Sequence, residues 1–315
     1  MVEIAGFAGV PDGLVRAQLR HNGAAGREFV DALPARAALF LERWELRVTG
    51  AGMHGATALV LPVERADGSP AALKLQALDE ESAGEALALR AWAGEGSVRL
   101  LAQDAATGTL LLERLDEGRH LSEVAAVDSR RAVEVIGELL ARLTAVPAPH
   151  GLRGLGDIAA RMLEAVPEAL AEVADGRARR LVADCAAAVA EVAGERPAGE
   201  AGAGGERLLH WDLHYDNVLA GGREPWLAID PKPLAGDPGF ELLPALVDNF
   251  RAQEVQWRFD LLAEAVGADR ERARAWTLGR VLQNCLWDVE DGGQPAEVQL
   301  EVAELLRGAG RRLPG

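Results

Sequence analysis

Lysine is almost missing from this 315-residue sequence: among 33 basic residues only Lys74 and Lys232 are lysines. Cysteine is equally scarce. Cys185 and Cys285 alone make no disulfide framework or zinc-ligand spacing, and each lies in a helix-like apolar segment, so buried thiols are expected. Positive charge is in deficit overall, with a formal net charge of −16, which argues against a nucleic-acid surface because phosphate binding needs clustered Lys and Arg. An acidic surface suits a cationic small molecule and also simply aids solubility. No run approaches the roughly 20 apolar residues that span a bilayer. Met1-Val-Glu-Ile4 is not a basic region leading into an apolar stretch, so a soluble, cytoplasmic protein without membrane partners is expected. No G-x-x-x-x-G-K-[ST] string occurs, which disfavours the Walker class of nucleotide sites.

What is present is concentrated at 208–232. Leu208-Leu-His-Trp-Asp-Leu-His-Tyr-Asp-Asn-Val-Leu219 and Trp226-Leu-Ala-Ile-Asp-Pro-Lys232 are two apolar, strand-like pieces that each meet a polar cluster. They put His210, Asp212, Asn217 and Asp230 at one rim, where they could converge on a phosphorylated ligand. An Asp five residues before an Asn matches H-R-D-x-x-x-x-N, the catalytic loop of phosphoryl transfer: the Asp receives the acceptor hydroxyl's proton and the Asn holds Mg²⁺. Asp230 then stands where D-F-G carries its metal-binding Asp. Two departures, His-Trp-Asp with Trp211 for Arg and Asp-Pro-Lys for Asp-Phe-Gly, point away from protein kinases.

Earlier in the chain, residues 27–43 predict a helix interrupted at Pro34, because proline removes a backbone donor and clashes with the preceding turn. A strand is expected at Trp44–Val48. Thr49-Gly-Ala-Gly-Met-His-Gly55 follows, a G-x-G-x-x-G string shared by dinucleotide sites and kinases. A dinucleotide site would open a helix here, whereas 56–63 is rich in strand formers. Strand, glycines and strand make a hairpin, either a plain one or a phosphate-covering loop in which Gly50, Gly52 and Gly55 let the backbone approach closely. Lys74, flanked by leucines on the next strand, matches the strand lysine that binds α- and β-phosphates. Its partner should be a Glu on a helix over 79–93, where Glu81, Glu85, Leu89 and Trp92 share a face. Periodicity permits either Glu; Glu85 lies nearer the apolar positions. After Thr109–Leu115 comes Asp-Glu-Gly118, taken as a hinge. Helices dominate from Leu121: one capped by Asp128, others at 157–173 and 177–193, a Gly/Ala-rich connector over 194–205, then helices near 239–249, 253–266, 269–290 and 295–307.

The motif at 208–232, with H-x-D-x-H-x-x-N and I-D-P-K, resembles the aminoglycoside phosphotransferase family, and within it the streptomycin 6-kinase and hydroxyurea-kinase branch. The resemblance covers the chain from the Trp44 strand onward. It implies an α+β, bilobal, protein-kinase-like fold, with an N-lobe of antiparallel sheet plus helices over 1–115 and a mainly helical C-lobe over 116–315. It implies ATP and Mg²⁺ as cofactors, with adenine held by the main chain at Glu113 and Leu115. The roles expected are Asp212 as catalytic base, His210 as a brace or acid–base group, Asn217 and Asp230 as metal ligands, and Lys74 with Glu85 on the phosphates. His214 and Asp216 support the loop, as do Asp237 and Glu241, where Glu replaces the family's usual Asp. Lys232 either contacts a substrate or fixes the loop by a salt bridge. Asp248, Asp288, Glu290 and Asp291, beside Trp287, could bind a guanidinium or ammonium group; Asp-Val-Glu-Asp-Gly292 is equally a helix end. The implied activity is phosphorylation of a small-molecule hydroxyl, foremost streptomycin at position 6. Hydroxyurea or another metabolite is the alternative, and a nucleotide-binding pseudokinase a third reading that would require a lost Asp or metal ligand.

Overall fold

A computed structural model describes residues 9–55, 57–194 and 206–309, so most of the expected connector and Ala56 lie outside the described residues. The chain divides into two units, Met1–Asp116 and Glu117–Gly315.

In the first unit, helix α1 (Asp12–Arg43) precedes strands β1 (Arg47–Val48), β2 (Met53–His54), β3 (Ala58–Glu64) and β4 (Pro70–Gln76). Helix α2 (Glu85–Trp92) and strands β5 (Leu100–Asp104) and β6 (Thr109–Glu113) complete it. The strands form one antiparallel sheet in the order β1-β3-β4-β6-β5, with β2 beside β3. β3 and β4 are buried along nearly their whole length because α1 packs on them: Leu33, Ala37 and Phe40 share a core with Leu59, Leu61, Leu73 and Leu75. Two expectations fail here. Pro34 does not break the helix; it lies inside α1, where burial of Leu33, Ala37 and Phe40 against the sheet offsets the lost hydrogen bond. The break is at Gly23 (φ 52, ψ −119), a conformation open to a residue without a Cβ. Likewise α2 begins only at Glu85. Asp79 Oδ1 accepts the N–H groups of Glu81 (2.9 Å) and Ser82 (2.7 Å), a local turn that competes with helix.

The second unit is mostly helical. Strand β7 (Asp116–His120) runs through the segment taken as a hinge. Then come α3 (Leu121–Val127), α4 (Ser129–Leu143), β8 (Arg153–Gly154), α5 (Leu155–Glu172) and α6 (Gly176–Ala193). Asp128 caps α4 by accepting the N–H of Arg131, and Val133, Ile136, Leu139, Leu140 and Leu143 form its buried face. Short strands β9 (Arg207–Leu209), β10 (Val218–Ala220), β11 (Leu227–Ala228) and β12 (Leu234–Gly236) follow, then helices α7 (Leu243–Val247), α8 (Val255–Ala265), α9 (Arg270–Glu290) and α10 (Glu297–Ala309). The single helix expected over 239–249 is instead a 3₁₀ turn at Pro238–Glu241 and the short α7. Pro238 and Pro244 each open a separate piece, and Asp237 caps the first by accepting the N–H of Gly239.

No described helix is long and apolar enough to cross a membrane. Cys185 and Cys285 are free and buried, and burial pushes both thiols up, that of Cys285 to about 12.

Candidate active site

Two small sheets frame the segment 210–232. β9 pairs antiparallel with β12, which also pairs in parallel with β8; β10 pairs antiparallel with β11. His210–His214 therefore leaves the end of one sheet, a 3₁₀ turn at Tyr215–Asn217 leads into the other, and Ile229–Lys232 returns from it. The two crossings are tied together. Lys232 N–H donates to His210 O (3.0 Å), and Ile229 N–H donates to Asn217 O (2.9 Å).

Side chains finish the knot. His210 is fully buried; its Nε2 bonds the Ile229 carbonyl (3.0 Å) and its Nδ1 accepts the N–H of Asp212 (3.3 Å). Burial holds its pKa down to about 4, so the ring stays neutral and both nitrogens serve the backbone. Asn217 Nδ2 donates to the Asp212 carbonyl (2.9 Å), which leaves the amide oxygen as the atom able to ligate a cation. Lys232 Nζ lies 3.4 Å from Asp212 Oδ2, so the second lysine fixes the candidate base by a salt bridge. Trp211 and Asp230 both have left-handed backbones (φ 67 and 57), a conformation that costs a residue with a Cβ roughly 1–3 kcal/mol and gathers at functional sites.

Glu241 holds the Trp211 turn from beneath. Its Oε1 accepts the N–H of Trp211 (2.7 Å) and its Oε2 that of His210 (3.2 Å). Burial pushes its carboxyl up to about 7, opposed by those N–H groups and by the charge of Arg280. Asp237 is spent on Gly239 N and on Arg272 (2.6 Å). Trp211 has three partners that no motif predicts: Gln283 Oε1 accepts the indole N–H (3.3 Å), and the guanidinium carbons of Arg153 and Arg280 lie 4.7 and 5.0 Å from the ring centroid. The available signal was an arginine within the otherwise apolar turn Thr277–Leu282.

Beside Asp212 is a cavity of about 340 Å³ lined by His214, Asp216, Leu243, Pro244, Val247, Asp248, Arg280 and Asn284. Of the acceptor residues expected from sequence it takes in Asp248, whose Oδ2 also accepts the N–H of Tyr215 (3.0 Å). Trp287, Asp288 and Asp291 do not line it. Asp288 Oδ2 accepts the N–H of Ala296 (2.9 Å), Asp291 ends α9 in the open, and Trp287 packs against Trp211, ring centroids 6.0 Å apart.

In the first unit Lys74 Nζ meets both carboxylate oxygens of Glu85 at 2.7 Å, with the two residues 4 % and 1 % exposed; Glu81 lies on the turn before α2. Gly52 packs tightly under β3, where a Cβ would meet Leu61 at 3.1 Å, while Gly55 faces open space and Gly50 lies near Pro62. Glu113 ends β6 with its carboxylate on the N–H of Arg99 (2.9 Å), and Leu115 is buried.

Residues 43–292 match the aminoglycoside/hydroxyurea antibiotic resistance kinase family. The chain belongs to this family. It is 67 % identical over 300 residues to a hydroxyurea phosphotransferase of Kitasatospora aureofaciens, covering 95 % of this chain and 86 % of that one. It is 53 % identical over 310 residues to a streptomycin 6-kinase of Streptomyces glaucescens, covering 95 % and 97 %. A solved choline/ethanolamine kinase family protein from Mesorhizobium loti shares the fold with a TM-score of 0.59 at 18 % identity, over 89 % and 95 % of the two chains. The α+β, protein-kinase-like fold class follows, an antiparallel sheet with helices preceding a mainly helical region.

Proposed function

We propose that this family member transfers the γ-phosphoryl group of ATP to a hydroxyl of a small antibiotic molecule, foremost streptomycin at position 6, and so inactivates it. The observation that carries this reading is the knot holding Asp212 between His210, Asn217 and Lys232. Asp212 takes or orients the acceptor's hydroxyl proton, and Lys232 keeps its carboxylate in place. Lys74, steadied by Glu85, grips the nucleotide phosphates, with the glycine hairpin and the main chain at Glu113 and Leu115 completing nucleotide contact. Among the described residues no cluster of three or more His, Cys, Asp or Glu could cage a metal. The carboxylate of Asp230 and the amide oxygen of Asn217 are nonetheless the hard oxygen donors that Mg²⁺ takes when nucleotide phosphates and water supply the rest. Bound there, Mg²⁺ would neutralise charge on the β- and γ-phosphates.

The acceptor reading rests on the cavity. Asp212, Asp216 and Asp248 make it acidic, and about 340 Å³ falls within the roughly 300–1,000 Å³ of drug-sized ligand sites. A guanidinium-bearing aminoglycoside fits that chemistry, whereas hydroxyurea would leave most of the space to water. Hydroxyurea is kept as the second reading because the relative carrying that name shares 67 % of its residues over the aligned length. ATP supply places the reaction in the cytoplasm. Incubation with ATP, Mg²⁺ and each acceptor, followed by mass analysis for one added phosphate, tests both; phosphate on neither would overturn the antibiotic reading.

A further inference from the structure

Asp212 follows directly on Trp211 in the chain. Trp211 is 2 % exposed and left-handed, and its indole and backbone are gripped from several sides. Arg280 of α9 is the member common to these contacts. Its guanidinium carbon lies 5.0 Å from the Trp211 ring centroid, 5.4 Å from that of Trp287 and 5.7 Å from that of Phe240. Its Nη1 donates to Gln283 Oε1 (2.6 Å), the same oxygen that accepts the Trp211 indole N–H. It also lines the cavity next to Asp212 and Asp248. A planar cation stacked on an indole face resists both rotation and loss of charge.

We propose that Arg280 is a positioning residue for phosphoryl transfer, fixing through the Trp211 indole the direction in which Asp212 meets the acceptor hydroxyl. This rests on the kinase reading above. The geometry is reinforced electrostatically. Glu241, which accepts the Trp211 and His210 N–H groups, is faced by Arg280 from α9 and by Asp212 from the loop. Arg280 favours its ionised form and Asp212 opposes it, while burial has already raised the carboxyl to about 7. Without the charge of Arg280, Glu241 should take up a proton at higher pH and loosen its hold on the turn.

The test compares Arg280→Met and Arg280→Lys with wild type by two readouts over the same pH range. One is kcat with streptomycin and ATP. The other is the Trp211 indole N–H resonance, identified by its loss in Trp211→Phe, which needs no turnover. Arg280→Met should lower kcat tenfold or more with ATP KM little changed, and should move the acid limb of kcat and the indole titration upward together by roughly half a unit or more. Arg280→Lys, which keeps charge without the planar stack, should lose kcat with the midpoint unmoved. Should Arg280→Met fail to fold, Arg280→Lys decides alone: wild-type kcat in it overturns the proposal. Unmoved midpoints in a folded Arg280→Met also overturn it, since a residue that only fills space would behave so. Inertness of wild type toward acceptors would sink the kinase reading, and the indole titration would still judge Arg280.

Discussion

Glu85 in the first unit and Glu241 in the second are each 1 % exposed, yet they are held by different means. Glu85 meets an ammonium at 2.7 Å on both oxygens. Glu241 meets two backbone N–H groups, with the Arg280 charge acting from outside hydrogen-bond contact, and its carboxyl is pushed up to about 7 by burial. A direct counter-charge fixes the ionisation of a buried carboxylate; backbone donors fix its geometry and leave the charge free to respond to pH. The first arrangement suits the phosphate-binding role proposed for Lys74. The second ties the turn at Trp211 to the charge of Glu241, whose carboxyl burial raises.

The largest effect expected is at Asp212, the carboxylate of the second unit that does have an ammonium beside it, Lys232 at 3.4 Å. Asp212→Ala should lower kcat by about 10³-fold, within the range of a lost general base, while nucleotide affinity measured by calorimetry stays near wild type. A fall of less than tenfold would show that Lys232 and Asp212 form a structural pair only. Next is Glu85→Ala. Removing the Glu85 carboxylate from this buried pair should cost about 3–5 kcal/mol of stability in chemical denaturation, with a raised ATP KM. A loss below about 1 kcal/mol would mean the pair is worth no more than a surface contact, and the contrast with Glu241 would vanish.

Glu241→Gln should sharpen that contrast through pH. A carboxyl raised from 4.5 to about 7 on folding contributes stability that is present below 4.5 and is lost as pH rises through about 7. Ionisation strengthens its two hydrogen bonds, so activity should climb through the same interval in which stability falls. Opposite slopes in wild type, with the stability slope flattened in Glu241→Gln, are the expected result of thermal melts and kcat measured from pH 5 to about 8. Parallel slopes would remove Glu241 as their source.

How much of this was legible in the sequence depends on chain distance. His210, Asp212 and Asn217 fall within one segment, so their spacing survives into a hydrogen-bonded knot. Helical periodicity brought Glu85 onto the face near Lys74, although it could not exclude Glu81, whose backbone is drawn into a turn by Asp79. The partners of Trp211 left no periodic trace, because Gln283 lies 72 residues away and its contact depends on how α9 packs. Pro34 and the turn before α2 depart from local propensity for a related reason: burial against a sheet and a side chain bonding its neighbours' backbone outweigh it.

Asp248 and Asp288 extend the comparison to carboxylates that are only partly buried. Each accepts one backbone N–H, from Tyr215 and Ala296 respectively, but only Asp248 lines the cavity beside Asp212. If that cavity receives the cationic acceptor, Asp248→Asn keeps the shape, loses the charge and should raise acceptor KM tenfold or more with ATP KM unchanged. The smallest effect belongs to Asp288→Ala. It deletes a hydrogen bond that ties the end of α9 to the start of the next segment, a loss of about 0.5–1.5 kcal/mol, which in a chain of this size lowers the melting temperature by a few degrees. Kinetics should be untouched, because Asp288 is occupied with a backbone amide outside the cavity. A tenfold rise in acceptor KM for Asp288→Ala, with Asp248→Asn silent, would reverse the two assignments: the helix end would then be the recognition surface and the cavity carboxylate a structural one.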